Sequence, residues 1–372
     1  MRYIVPGGAG DMGSRAVEDL AASQGVAAVT IADRNFAAAR RLADTLKGGP
    51  ATVDVVEIDA EDFGGLVDAF RGYDVVASTL GPFYKYEEKL VSAAIEAGVN
   101  YCSICDEWDA AEAVMEKLGK KAREKGVTAV IGLGTSPGIT NVAVRHLADQ
   151  MDTASRAEIY IHLPMNMGGG TAVIAHGVHI MTGDTVVWRN GKRTEVEACS
   201  EKKTVELPVF GKMPVWNMGH TEPVTIPQFL PGIRDVEFYM GFGKMTPLLI
   251  GAAKLGLGNS DKRVDAIYKL VHFVEKLAGG EEPGEGALRI DVWGEKDGGK
   301  VHLTCFGTGT MRDATALSLS VGARVLGEKK LLVDGGGIYA PEAVYESAGF
   351  FNRMKSRGMH MFEDIEMSRP VA

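Results

Sequence analysis

The 372-residue chain has only four cysteines, at positions 102, 105, 199 and 305. So few in so long a chain exclude a disulfide framework of the secreted kind, and they are expected to be reduced. It also lacks an apolar run long enough to cross a membrane, because the longest, near Thr246 to Gly258, is broken by Lys254. The opening stretch from Met1 to Gly8 is too short an apolar run for a secretory signal, so a cytoplasmic protein without a membrane partner is expected. No Lys/Arg-rich run stands out. Forty basic against 49 acidic side chains leave a net charge of -9, which argues against a nucleic-acid partner. Repeats with a period of about 20 to 50 residues are missing as well. What is present is an ordinary globular composition, 45% apolar and 24% charged, incompatible with a disordered or fibrous chain. At about 150 residues per domain the length suggests two domains. Glycine is abundant, with 47 copies in no collagen period, and marks tight turns and close backbone approaches.

Up to about residue 134 strand and helix patterns alternate, the rhythm of a parallel sheet. Strands are expected at Tyr3 to Val5, Ala28 to Ala32, Val53 to Ile58, Asp74 to Leu80, Asn100 to Ile104 and Thr128 to Gly132. One helix is legible in detail: after Gly81-Pro82, Leu90, Val91, Ala94 and Ile95 recur at helical spacing, and Gly98 stands where a left-handed cap ends it. Near residue 135 the pattern changes. Thr135 to Asn141 leads into a helix through Gln150, and strands then dominate: Ile159 to Leu163, Thr185 to Val196, Thr204 to Leu207, Asp235 to Met240, Leu288 to Gly294 and Val301 to Thr304. Asn190-Gly191 marks the clearest hairpin, a type I′ turn with positive φ at both positions. Helices through Val264 to Leu277 and Ala314 to Leu326 are expected to cover this largely antiparallel sheet, and Gly279 to Gly286 reads as a surface loop. The fold class expected is α/β, a doubly wound parallel sheet followed by a second, mixed α/β domain.

The strongest motif is Gly8-Ala9-Gly10-Asp11-Met12-Gly13, a G-x-G-x-x-G directly after the first strand and opening a helix through Val17 and Leu20. Gly8 suits a tight turn, Gly10 lets a diphosphate approach the backbone, and Gly13 lets helix and sheet pack closely. The helix N-terminus faces the phosphates with N–H groups and a dipole worth about half a positive charge. Asp33 ends the second strand 20 residues after Gly13, where a carboxylate accepts the ribose hydroxyls of an adenosine. A dinucleotide site follows. Asp33 argues for NAD over NADP, since a 2′-phosphate about 4 Å from a carboxylate is opposed by up to about 4 kcal/mol at an effective dielectric near 20. Arg34 keeps NADP open, because its guanidinium either turns to a 2′-phosphate, stacks on adenine or stays in solvent. Asp59 either reaches the adenine or belongs, with Asp62, to the cap of the next helix.

Ligands of open α/β sheets gather at the carboxyl ends of the strands. Those ends are Ser78-Thr79-Leu80-Gly81 through Tyr86, Cys102 through Trp108, and Gly132 through Gly138. Thr79, Leu80 and Gly81 are expected beside the cofactor. Tyr84 and Lys85 are candidate proton donors or carboxylate anchors, and Asp106 or Glu107 a substrate-ammonium anchor or base. A surface lysine and a helix cap at Asp106 are the structural alternatives. Cys102-x-x-Cys105 lacks a partner pair at finger spacing, and small core residues are the better reading. His176 and His179 follow the glycine triplet 168–170, and no third ligand stands at helix spacing, so no metal is expected. One of the two, His179, remains a candidate to face substrate. Trp216, His220, Glu222 and Arg312 are further candidate lining residues.

Gly8-x-Gly10-x-x-Gly13, Gly81-Pro82-Phe83-Tyr84, Ala94 through Tyr101 with Asp106-Glu107, Gly134 through Asn141, Gly219 through Pro223 and Gly337 through Glu342 resemble the saccharopine dehydrogenase and lysine 6-dehydrogenase family. The likeness extends over most of the chain and departs at Cys102 to Cys105, where members often carry an aspartate. It implies an NAD(P)-binding Rossmann domain (1–135), a substrate and dimerisation domain (136–335) and a C-terminal segment (336–372) returning to the first domain. That segment reads locally as a helix from Pro341 to Arg357, a Gly358 cap and a strand at Met359 to Ile365. A homodimer and a small amino-acid or amine substrate are implied too, oxidised or reduced at a carbon–nitrogen bond. For a lysine-type substrate, hydride leaves the carbon beside the amine and water hydrolyses the imine. Only a neutral amine assists this, and deprotonating a group of pKa about 10.4 at pH 7 costs about 4.6 kcal/mol, so oxidation is expected to quicken with pH. The alternatives are an NADPH-dependent opine-type or carboxyspermidine-type imine reductase, and a non-catalytic nucleotide-binding regulator.

Overall fold

The computed structural model describes residues 1–163, 171–243, 246–255 and 284–371. They form two compact units, Met1–Val142 with Arg312–Arg357 and Ala143–Met311 with Gly358–Ala372. The expected helix Val264 to Leu277, most of the loop Gly279 to Gly286 and the glycine triplet 168–170 lie outside the described residues.

In the first unit β1 (Arg2–Pro6), α1 (Asp11–Ala22), β2 (Ala28–Ala32), α2 (Phe36–Thr45), β3 (Thr52–Val56), α3 (Phe63–Phe70), β4 (Val75–Ser78), α4 (Phe83–Ala97), β5 (Asn100–Ser103), α5 (Trp108–Lys125) and β6 (Thr128–Val130) alternate. The strands lie parallel in the order β3-β2-β1-β4-β5-β6. This order reverses direction between β1 and β4, the switch point at which open sheets bind ligands. Helix α1 buries Gly13, Ala16, Val17, Leu20 and Ala21, one stripe of a 3.6-residue period. Burying Val17 and Leu20 stabilises the contact by about 1.5 to 3 kcal/mol each. Gly98 ends α4 at φ 72°, donating to the Ala94 and Ile95 carbonyls as its spacing predicted.

The second unit follows α6 (Ile139–Ala148), within which the two units divide. Its elements are β7 (Thr153–His162), α7 (Thr171–Ile180), β8 (Asp184–Arg189), β9 (Lys192–Glu197), β10 (Lys202–Leu207), β11 (Gly211–Asn217), α8 (Glu222–Phe229), β12 (Asp235–Gly241), α9 (Thr246–Lys254), β13 (Gly286–Lys296) and β14 (Gly299–Gly309). The strand order is β10-β11-β12-β7-β13-β14, with β8 joining β12 to β9. Among the described residues of this sheet, β12 and β7 pair in parallel and the other pairs are antiparallel. Asn190 and Gly191 have φ 53° and 73° and close the β8–β9 hairpin as expected. Asp297-Gly298 makes the same turn between β13 and β14, with φ 52° and 75°.

Several expectations need correction. The helix expected over the second sheet, α10 (Met311–Gly327), belongs from Arg312 onward to the first unit. Every residue from Ala316 to Ala323 is buried, so the middle of the helix is enclosed on all sides, and Gly322 lies where a Cβ would stand 2.2 Å from Leu133. The expected boundaries at 135 and 335 therefore move, since 312–357 adds β15 (Gly337–Tyr339), parallel to β6, and then α11 (Pro341–Val344) and α12 (Ser347–Lys355). The single helix expected from Pro341 to Arg357 is two, because the Glu346 carboxylate takes the Ala348 and Gly349 N–H groups and starts a new helix. The strand expected at Met359 to Ile365 reduces to isolated bridges of Phe362 with Phe306 and Pro370. There Asp364 accepts from the Ser368 and Arg369 N–H groups and turns the chain instead. Beyond Gly358 the segment belongs to the second unit, so only its first part returns to the parallel sheet.

Candidate dinucleotide and substrate site

The turn after β1 is set by Gly7 rather than Gly8. Gly7 has φ 76°, a conformation side chains resist, and its N–H donates to Ala32 of the neighbouring strand at 2.9 Å. Gly8 and Gly13 are required by proximity. A Cβ on Gly8 would stand 2.7 Å from the Val5 carbonyl oxygen, and one on Gly13 would stand 2.2 Å from that of Gly7. Helix α1 therefore starts against the strand, at an N-cap, Gly10, that has no side chain to occupy its first N–H groups. Gly10 and Asp11 are exposed and Ala9 and Met12 half-buried, so the loop presents backbone to a ligand. Thr79 closes the far side. Its hydroxyl donates to Gly7 at 3.0 Å and Pro6 at 3.2 Å, and its N–H to Pro6 at 2.9 Å, clamping the loop to the end of β4.

Asp33 stands half-buried beside this cradle. Its two carboxylate oxygens accept from Ala9 N at 3.1 Å and Asn35 N at 2.9 Å, which fixes the group while leaving lone pairs for hydroxyl donors. Arg34 is exposed. Asp59 is exposed as well and accepts from Glu61 N, while Asp62 caps α3 through Gly65 N, the arrangement of the capping alternative. The residues present suit a dinucleotide: a cradle that any Cβ would fill, a helix N-terminus for phosphates, and a fixed carboxylate on the adjoining strand.

At the ends of β4 and β5, Leu80 and Gly81 lie half-buried and Tyr84 is 54% exposed. Lys85 reaches outward to Glu61 at 3.1 Å and the Tyr86 hydroxyl at 2.7 Å, and those partners hold its ammonium above the usual lysine range. Asp106 is half-buried; the N-cap of α5 is not this residue but Glu107, whose buried carboxylate accepts from the Tyr84 N–H. Sequence reasoning missed Glu87. It stands on the inner face of α4, fully buried, accepting from the Ser103 hydroxyl at 2.5 Å and the Tyr101 hydroxyl at 3.0 Å. Burial pushes its carboxyl up to about 7, against those hydrogen bonds and with help from the charges of Glu107 and Asp106. A polar residue among Leu90, Val91 and Ala94 on an apolar helix face was the available signal. Cys102 and Cys105 are free and buried, with burial raising both thiols, as small core residues should be.

The second unit carries its own candidates. His176 and His179 both stand half-buried on α7. His220 is buried at 2.5 Å, ring nitrogen Nδ1 to oxygen, from the Glu222 carboxylate, its ring stacked on Phe238 at 3.9 Å and edge-on to His176 at 6.1 Å. A carboxylate on one ring nitrogen fixes the imidazole's tautomer and orientation, the arrangement suited to proton transfer at the other. Trp216 is buried on β11, and Arg312 stands at the start of α10 near Asp11.

Residues 4–130 match the family model described as the saccharopine dehydrogenase NADP binding domain. Carboxynorspermidine synthase from Vibrio alginolyticus is 26% identical over 240 residues, 58% of this chain and 56% of that protein. Carboxyaminopropylagmatine dehydrogenase from Synechocystis sp. is 23% identical over 255 residues, 66% of this chain and 63% of that protein. The chain thus spans less than two thirds of the length of these relatives. Among solved structures, apo saccharopine dehydrogenase (L-Glu forming) from Saccharomyces cerevisiae shares the fold, with a TM-score of 0.71 over 98% of this chain and 99% of that one at 14% identity. The resemblance read from the motifs, the α/β architecture and a pyridine-nucleotide cofactor are all borne out.

Proposed function

We propose that this chain, whose first unit carries a pyridine-nucleotide-binding domain of the saccharopine dehydrogenase type, is an oxidoreductase acting on a carbon–nitrogen bond of an amino acid or amine. The observation that carries the reading is the glycine cradle of residues 7–13, clamped by Thr79 and flanked by Asp33. In it the N–H groups at the start of α1 hold the diphosphate and Asp33 takes the adenosine ribose. Asp33 favours NAD, its charge opposing a 2′-phosphate. When bound, the nicotinamide supplies hydride exchange with the carbon attached to nitrogen. Asp106 and Glu107 at the end of β5 hold a substrate ammonium, with Glu107 oriented by the Tyr84 N–H. Lys85 anchors a substrate carboxylate, and Tyr84 and His179 are the proposed proton carriers.

The reductive direction, joining an amine to a carbonyl compound through an imine, is supported by the name of the synthase relative. Oxidative deamination of a lysine-type substrate rests on the motif resemblance alone. A cytoplasmic homodimer belongs to the same proposal. The test follows consumption of reduced cofactor with paired amines and carbonyl compounds, and its formation with lysine, ornithine and short diamines, for the native chain and Asp33→Ala. Calorimetry with NAD and NADP accompanies it, and light scattering gives the oligomeric state. Binding of neither dinucleotide would sink the reading; binding without turnover in either direction would leave a nucleotide-responsive regulator.

A further inference from the structure

We propose that Arg312 is a diphosphate-binding residue, supplied to the glycine loop from the far end of the sequence; this rests on the dinucleotide reading above. Helix α1 opens with an exposed carboxylate, Asp11, at the point where phosphates are to sit. An acidic first turn suits the helix dipole but repels a phosphate, so the loop needs a cation to bind one well. The fold provides it. The start of α10 brings the Arg312 Nε to 3.1 Å from the Asp11 carbonyl oxygen and 3.2 Å from its carboxylate, and Nη2 to 3.1 Å from the Ser14 hydroxyl. Glu18 is a more distant partner at 3.8 Å.

A neighbouring arginine serves as the contrast. Arg15 gives its Nε to Asp313 at 2.7 Å and is a structural tie between α1 and α10. Arg312 has a 38% exposed side chain, and its Nη1 meets no partner among the described residues. A guanidinium has five donors in a planar fork, so one held at Asp11 and Ser14 keeps donors for a bidentate contact with phosphate oxygens. Its position is fixed before the ligand arrives, which lowers the ordering cost of binding.

The experiment measures affinity for ADP and for adenosine by calorimetry, at low and high salt, on the full chain and on Arg312→Ala, Arg312→Lys and the double variant Asp11→Asn with Arg312→Ala. Arg312→Ala is expected to weaken ADP by about tenfold or more while leaving adenosine unchanged, and to flatten the salt dependence of ADP binding. Arg312→Lys, which keeps the charge and loses the fork, is expected to fall between, with an unaltered melting curve. The double variant is expected to stay weak. Equal loss of ADP and adenosine would make Arg312 merely structural and overturn the proposal, as would unchanged ADP affinity. Full recovery in the double variant would also overturn it, by reducing Arg312 to a counter-charge for Asp11. If the native chain binds adenosine and ADP equally poorly, the dinucleotide reading itself fails and the proposal with it.

Discussion

The two sheets solve opposite problems. In the parallel sheet, β1, β2 and β4 are enclosed almost throughout, and the layer around Ile4, Val76 and Ile131 is apolar. In the second sheet every other residue of β7 on one face is polar or aromatic: Arg156, Glu158 and Tyr160. Register sets Glu158 beside Glu237 of β12 and Asp291 of β13, so three carboxylates stand abreast in the middle of a sheet. Glu158 is 3% and Asp291 2% exposed. Lys203 bridges Glu158 at 2.9 Å and Glu237 at 3.1 Å, Arg189 reaches Glu237 and Glu201, and Arg289 and His302 hold Asp291. The lesson is that a strand covered on both faces is specified by apolar volume, whereas a face built of charge is specified by the identity of each partner.

The comparison breaks first at the glycine loop, where tolerance is smallest. Gly13→Val should lower dinucleotide affinity by at least about a hundredfold, as measured by calorimetry, because its Cβ cannot stand 2.2 Å from the Gly7 oxygen. Near-native affinity would show that the loop yields.

In the second sheet the sharpest cut is Lys203→Met. It removes the cation shared by Glu158 and Glu237 and should cost about 2 to 3 kcal/mol in urea unfolding followed by the second unit's tryptophans, with Glu158→Gln restoring part of the loss. An unchanged midpoint would mean that Arg156 and Arg189 suffice.

The two units should respond to pH with opposite signs. Glu87 has a folded pKa of about 7, above its ordinary 4.5, so its contribution is complete below pH 4.5 and is lost as pH rises through 7, by about 3 kcal/mol at most. His162, buried at the end of β7, is pushed by burial from 6.5 down to about 4, so its contribution is present above pH 6.5 and is lost as pH falls through 4, again by at most about 3 kcal/mol. Hydrogen exchange on each unit between pH 4 and 8 checks both signs, since Glu87→Gln should flatten only the first unit's profile and His162→Leu only the second's. Both units varying together would overturn the assignment. The smallest effect belongs to Asn190→Ala, which keeps the hairpin but places alanine at φ 53° and should cost about 1 kcal/mol in thermal unfolding.

Much of the first unit was legible because its signals are local. G-x-G-x-x-G, the Gly98 cap and the β1 to β6 rhythm all depend on neighbours within a turn or two. Asn190-Gly191 was legible for the same reason, and Asp297-Gly298 carried an equal signal that went unread. β11 was not among the expected strands, and Pro214 within it is a residue that paired strands rarely hold. Its missing N–H is harmless there, since pairing with β12 begins only at Trp216. Of the site residues, Asp33 and the loop glycines follow from spacing. The Glu87 contacts with Tyr101 and Ser103 and the Tyr84–Glu107 contact arise from chain segments whose proximity no periodicity encodes.

By itself the sequence determined a dinucleotide cradle, its carboxylate and two styles of sheet, because backbone freedom at glycine and the side-chain period of a strand are properties of adjacent residues. Tertiary structure alone decided that α10 lies against the parallel sheet, that Arg312 meets Asp11 across three hundred residues, and that Asn141 is held by Glu342 at 2.9 Å. The physical reason is that such contacts are chosen by which apolar surfaces exclude water together. That choice depends on the whole chain at once, and no window of the sequence contains it.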